Sequence, residues 1–206
     1  MDARVPFTAH GLAARLLPAM PPLPLAPQRG DYDLNPAMRP TSPRPLAAAA
    51  VLIPIVARAE PTILFTTRSQ QLSRHAGQVS FPGGRHDPED TSLTATALRE
   101  LEEEVGIAPS FVTVLGYLEP YETVTHFAVL PVVGLLSDGF TVTADASEVA
   151  CVFEVPLAYL LDKASLEEQR FEINGLSRRV YAFHYGPHRI WGATAAMLVN
   201  LREQLA

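Results

Sequence analysis

The stretch Gly84–Ile107, GRHDPEDTSLTATALRELEEEVGI, decides how this chain is read. It gathers Glu100, Glu102, Glu103 and Glu104 after the pair Gly83-Gly84 and before Gly106. A helix turns by about 100° per residue. With Glu100 at zero, Glu103 falls at about −60° and Glu104 at about +40°, so these three share one face. Glu102 falls at about 200°, on the far side. Ala97, Leu101 and Val105 lie between about 60° and 140°, an apolar stripe beside the carboxylates. Three carboxylates therefore run along the edge of a buried face. Two of them about 4 Å apart repel by roughly 4 kcal/mol at a near-surface dielectric, so a helix that gathers three invites a cation. Hard divalent ions that take oxygen ligands, Mg2+ or Mn2+, suit such a set. A solvated acidic face is the plainer reading of the same residues. Acidic groups in the last turns, however, oppose the helix macrodipole. Arg99 reaches Glu103 at i+4 and can orient a ligand carboxylate. Asp90, Thr91 and Ser92 offer N-caps, and Gly106 suits a left-handed stop.

The spacing Gly84-x5-Asp90-x8-Arg99-Glu100-Leu101-x-Glu103-Glu104-x-Gly106-Ile107 resembles the Nudix box. That box is the loop–helix–loop signature of hydrolases acting on nucleoside diphosphates linked to another group. Relative to the family pattern, Asp90 stands where a glutamate belongs, and one extra residue precedes Arg99. The Arg-Glu-Leu-x-Glu-Glu core is intact. Upstream, Leu64-Phe65-Thr66-Thr67-Arg68-Ser69-x3-Ser73-Arg74-x2-Gly77-x3-Phe81-Pro82-Gly83-Gly84 is similar to the extra motif of Nudix enzymes that cleave coenzyme A. Here Ser73 occupies the slot of the motif's second arginine and Arg74 follows it. The closing Ile190–Ala195 is similar to the last helix of that subfamily.

The resemblance implies an α/β fold, a Nudix-type α/β/α sandwich with a mixed β-sheet. It implies metal-dependent hydrolysis of coenzyme A or a derivative to 3′-phosphoadenosine 5′-phosphate and phosphopantetheine or its acylated form. Catalysis then falls to Arg99, Glu100, Glu103 and Glu104. Metal binding falls to Glu100, Glu103 and Glu104, with Glu148 as a later acidic group that reads equally as a strand-end charge. Arg68 and Arg74 suit phosphate contacts, since guanidinium binds phosphate bidentately; surface charge beside a strand is their alternative. Gly83 and Gly84 permit a tight turn whose backbone approaches metal or phosphate. No Gly-Lys-Ser/Thr follows them, which excludes a Walker-type loop. Two rivals stay open: hydrolysis of ADP-ribose, dinucleotides or nucleoside triphosphates, and a Nudix-fold nucleotide-binding module without turnover. The full glutamate set weighs against the module.

Composition agrees with a small-molecule enzyme. With 206 residues and 48% hydrophobic content, a sizeable core is available. The net charge of −6 argues against nucleic-acid partners, so an anionic substrate must be met by local arginines or a metal. A lone cysteine, Cys151, forbids an internal disulfide and reads as a small strand residue. The start lacks a signal-peptide pattern, and the apolar run Leu46–Ala57 is too short to span a bilayer. A cytoplasmic monomer or homodimer with no membrane partner is expected.

Residues 1–45 hold about half of the 19 prolines and read as an extension packed on or flanking a domain at 46–206. A short helix is expected near Gly11–Leu17. Strands are expected at Ala48–Ala57, Thr62–Thr67, Gln78–Phe81, Phe111–Leu118, Phe127–Leu136 and Glu148–Val155, with a short helix from Pro156 to Leu161. Asn174-Gly175 signals a hairpin between Phe171–Ile173 and Val180–Tyr185. A last helix is expected over Ile190–Leu205, opened by Trp191 as a core residue. His184 and His188 are expected in a loop.

Overall fold

The computed structural model describes residues 8–42, 44–72, 75–173 and 176–206. In chain order the elements are α1 (Ala9–Ala13), β1 (Arg29–Gly30), β2 (Ala47–Val56), β3 (Thr62–Arg68), β4 (Val79–Ser80), β5 (Gly83–Arg85) and α2 (Leu93–Val105). They continue with β6 (Val112–Tyr117), β7 (Tyr121–Glu122), β8 (Phe127–Leu136), β9 (Val149–Pro156), α3 (Leu157–Leu161), β10 (Leu166–Ile173), β11 (Leu176–Tyr185), β12 (His188–Trp191) and α4 (Ala193–Leu205).

The apolar run of β2 is buried on both faces, as expected of a central strand with a parallel neighbour. It runs parallel to β8 from Ala47↔Phe127 to Val56↔Leu136. Even positions of β2, such as Ala50 and Leu52, pack under α2 with Leu93, Ala97 and Leu101. Odd positions, such as Ile53 and Ile55, pack on the other face with Phe65, Phe183, Ile190 and Leu198. Full burial of such a leucine or phenylalanine contributes about 1.5–3 kcal/mol. The result is a mixed nine-stranded sheet with α2 on one face, and α4 with a second, three-stranded sheet on the other.

The main sheet forks where the site will be. β2 and β3 pair only at Ile55↔Ile63 and Val56↔Thr62. Beyond this they diverge: β3, which keeps β9 along its other edge throughout, takes β4 in place of β2, while β2 takes β5. The segment from β4 to β5 therefore crosses the fork, and Phe81-Pro82-Gly83-Gly84 lies at the crossing.

Two expectations are corrected. Ile190 and Trp191 belong to β12, not to a helix: they pair with Phe183 and Ala182 of β11. Gly192, at φ 65°, ends that strand in a conformation no helix accepts, and α4 starts at Ala193. His184 and His188 likewise sit in β11 and β12, and His188 stacks on Phe153 with ring centroids 3.6 Å apart. Asn174-Gly175 lies outside the described residues, but the strands around it extend further than the apolar pattern suggests, because charged residues such as Glu167, Glu168 and Arg170 occupy β10.

Within residues 8–42, several side chains and one strand join the rest of the structure. Leu12 and Leu16 are buried, Leu17 bridges to Tyr117, and β1 runs parallel to β7. Among the described residues no helix is long and apolar enough to cross a membrane.

Candidate active site

Helix α2 is started by Ser92, whose Oγ accepts from Ala95 N–H at 3.1 Å, and is stopped by Gly106 at φ 73°. Ala97, Leu101 and Val105 are fully buried against the sheet, and Glu102 points to solvent. Its last carbonyls are capped by the loop that follows β8. Thr143 N–H donates to Val105 O at 2.8 Å and Asp145 N–H to Glu104 O at 3.1 Å. This docking brings Glu148, at the start of β9, to the helix end.

The three aligned carboxylates sit at graded depth. Glu104 is the deepest, 3% exposed, and its Oε2 has no hydrogen-bond partner. Arg68 Nη1 lies 3.7 Å from its Oε1. Burial first, then the charge of Glu100, pushes the Glu104 carboxyl up to about 8; Arg68 and the Gly83 N–H pull the other way, and Glu148 adds to the rise. Glu100, 15% exposed, forms an ion pair with Arg99, whose Nη1 lies 3.0 Å from its Oε1, and lies against Gly84, where any Cβ would overlap its carboxylate. Its carboxyl too is raised, mainly by burial, although Arg99 opposes this. Glu103 departs from expectation. It is 58% exposed and turned outward onto Arg99 Nη1 at 2.7 Å, so it does not join Glu100 and Glu104 in the cleft. Its angle on the helix points past the sheet edge into solvent.

Glu148 is exposed at its side chain, and its charge acts on both Glu100 and Glu104. Its carbonyl accepts from Ser69 N–H at 2.7 Å, which ties β9 to the end of β3. Arg68 sits at that end, with its own Nε buried and unpartnered. Its backbone pairs with the returning chain through Arg68 N–H to Gln78 O at 2.9 Å and Gly77 N–H to Arg68 O at 3.0 Å. Gly83, at φ 157°, has no room for a side chain beside Val51. Arg74 lies outside the described residues.

Asp90 is not the helix cap. Its two oxygens clamp Arg99 at Nε (3.0 Å) and Nη2 (3.1 Å), and this pairing drives its carboxyl well below the usual carboxylate range. Two further residues of this network, His86 and Thr96, were not read from the sequence. The available signal was a hydroxyl on the helix edge one turn before Glu100.

Among the described residues no three His, Cys, Asp or Glu side chains close into a ready-made metal cage. The set still fits a divalent ion that keeps waters and takes substrate oxygens, since Mg2+ is commonly held by one or two carboxylates plus phosphates. The orphaned Glu104 Oε2 and the side-chain-free cradle at Gly84 are the observations that support the fit.

A mixed sheet backed by a glycine turn and a carboxylate-edged helix defines the class of fold. Residues 46–172 match the family model described as the NUDIX domain. Over 157 residues the chain is 49% identical to an uncharacterized Nudix hydrolase NudL of Yersinia enterocolitica, covering 76% of this chain and 80% of that protein. Over 157 residues it is 46% identical to the corresponding NudL protein of Photorhabdus laumondii, covering 76% and 84%. A crystal structure of the Nudix hydrolase RenU from M. smegmatis superposes over 78% of this chain and 86% of its own, with TM-score 0.49 and 16% identity. The chain belongs to the Nudix hydrolase family. It is a pyrophosphatase-type enzyme acting on a diphosphate, and the family generally uses divalent metal ions.

Proposed function

We propose that this hydrolase cleaves the diphosphate of coenzyme A or one of its derivatives. The products are 3′-phosphoadenosine 5′-phosphate and phosphopantetheine or its acylated form. The observation that carries the reading is a pair of buried, unpartnered atoms on neighbouring side chains, Glu104 Oε2 and Arg68 Nε. The first requires a cation or a proton, the second an acceptor. A divalent ion on a diphosphate supplies both. When bound, Mg2+ or Mn2+ neutralises the diphosphate and activates the attacking water.

The residues of the chain divide the remaining work. Glu100, Glu104 and Glu148 hold the ion, while Glu103 and Asp90 hold Arg99. Gly83 and Gly84 keep the turn free of side chains, so the diphosphate can lie close to the backbone. Arg68 takes phosphate oxygens, with Arg74 as a second contact from the same motif. The coenzyme A assignment rests on the sequence stretch that carries Arg68, which the fold sets directly against the carboxylates. A small anionic substrate also suits a chain of net charge −6 better than a nucleic acid does. The enzyme acts as a monomer or homodimer in the cytoplasm, without a membrane partner.

The test is kcat/KM for coenzyme A, dephospho-coenzyme A and ADP-ribose, with products identified by mass spectrometry. Coenzyme A or an acylated form should be the best substrate. If ADP-ribose is best, and Arg68→Ala affects all three alike, the coenzyme A assignment is wrong and only the diphosphatase remains.

A further inference from the structure

His86 is tied down at two points. Its backbone N–H donates to Ala48 O at 3.0 Å, and its ring Nδ1 lies 2.8 Å from Thr96 Oγ1. Thr96, fully buried, donates its hydroxyl to Asp90 Oδ2 at 2.8 Å. A hydroxyl has one proton. Once Asp90 receives it, Thr96 can only accept from the imidazole, so Nδ1 carries the hydrogen. The competing acceptor for the hydroxyl is Ser92 O, at 3.3 Å. Asp90 Oδ2 also accepts from Asp87 N–H at 3.1 Å, and both Asp90 oxygens bind Arg99. The Arg99 guanidinium is thereby fixed with Nη1 on Glu100 at 3.0 Å and on Glu103 at 2.7 Å. Hydrogen bonds thus run from His86, two residues past Gly84, through Thr96 and Asp90 to Arg99, whose ion pair at 3.0 Å reaches the carboxylate that lies against Gly84.

We propose that His86 and Thr96 are positioning residues: their hydrogen-bond relay fixes Asp90 and Arg99, so that Glu100 is held against the Gly84 turn in the geometry that takes a divalent cation. The inference rests on the metal reading given above. The physical need is clear from the ends of the chain. Nine residues of irregular backbone and helix separate Asp90 from Glu100, the nearest metal candidate in the chain, and without Thr96 one of the Asp90 oxygens would lose a bond. Arg99 has several rotamers, and the two parallel bonds from Asp90 favour the one observed. His86 also staples the 84–90 loop to α2 through Thr96 and to β2 through Ala48.

Mn2+ binding to the intact, substrate-free protein, followed by electron paramagnetic resonance, reads the relay without turnover. Thr96→Val and His86→Ala should each weaken Mn2+ binding and lower kcat by about tenfold, the lower end for groups that orient metal ligands, with little change in KM. His86→Asn keeps an N–H donor near the place of Nδ1 and should recover most of the loss. His86→Gln puts its donor where Nε2 was and should not. The double variant His86→Ala/Thr96→Val should be no worse than Thr96→Val alone, because one break already opens the chain. Thr96 is buried, so melting curves accompany each variant, and the series at the half-buried His86 decides alone if Thr96→Val does not fold. Binding and kcat within about twofold of wild type for His86→Ala would overturn the relay. So would losses that multiply in the double variant, or His86→Gln rescuing as well as His86→Asn. A wild-type protein that takes up no Mn2+ would instead overturn the metal reading, and the relay with it.

Discussion

Asp31 and Glu104 are both shut away from water, at 8% and 3% side-chain exposure, and the fold treats them in opposite ways. Asp31 accepts from the Tyr121 hydroxyl at 3.0 Å and from Val124 N–H at 2.9 Å, and meets Arg178 Nη2 at 3.2 Å. Those partners come from β7, the turn after it and β11, so Asp31 joins the N-terminal segment to both sheets. Glu104 has an arginine at 3.7 Å and an oxygen with no partner. A buried charge with its bonds filled holds a structure together. A buried carboxyl left short of bonds costs stability, and the metal proposed above is what would complete its bonding.

The contrast breaks most sharply at those two residues. Glu104→Gln should lower kcat by at least ~10²–10³, the scale of losing one electrostatic contact to the reacting group, while the thermal midpoint at pH 7 stays near wild type. Asp31→Ala should do the reverse. It leaves Arg178, the Tyr121 hydroxyl and Val124 N–H without their acceptor, and urea titration should show a loss of roughly 3–5 kcal/mol. Turnover per folded molecule should persist. A folded but inactive Asp31→Ala protein would place Asp31 in the site and erase the distinction.

Arg68 is the next largest effect. A charge-assisted contact is worth roughly 1.5–3 kcal/mol, so Arg68→Ala should raise KM about ten- to a hundredfold. The drop in kcat should be smaller, because the contact exists in both ground and transition states. Steady-state kinetics with an equal fall in kcat and unchanged KM would move Arg68 from binding to catalysis.

Acidity sharpens the comparison further. The Glu104 carboxyl moves from 4.5 to about 8, chiefly through burial and next through Glu100. Between those values the folded protein keeps a proton that the unfolded chain has released. Stability of the metal-free protein should therefore fall as pH rises through that window, by up to roughly 1.4 kcal/mol per pH unit from this group. Urea midpoints taken in chelator at about pH 5.5 and about pH 8 measure the slope. Glu104→Gln should flatten it, and Mn2+ should flatten it in the wild type by favouring the carboxylate. Parallel slopes in both proteins would show that Glu104 does not titrate in this way.

The smallest effect is expected at Glu102→Gln, which should leave kcat/KM within about twofold, since an exposed surface substitution rarely costs more than about 0.5 kcal/mol. A loss equal to that of Glu104→Gln would discard the division of the helix into faces.

Local geometry explains what could be read without coordinates. Helical angles alone sent Glu102 outward and buried Ala97, Leu101 and Val105, because a helix places its side chains by backbone rise and turn within a few residues. Gly106 as the stop and Ser92 among the caps followed from the same short range. The strand Phe127–Leu136 was legible from its unbroken apolar run. Ile190-Trp191 misled because its strand character comes from pairing with Phe183 and Ala182 across a turn, which the helical apolar stripe that follows conceals.

That this chain carries a Nudix box on an amphipathic helix follows from the residues in order, since the spacing of arginine, glutamates and glycines is a property of the chain alone. Which of those glutamates faces the cleft depends on how the folded elements pack. The fork between β2 and β3 lets the Gly83-Gly84 turn come against Glu100 and Arg68 against Glu104, and leaves Glu103 in solvent on Arg99. Asp90 changed from a helix cap to the clamp on Arg99 for the same reason. Burial and charge pairing depend on what a folded chain brings near, and no spacing along the chain encodes that distance.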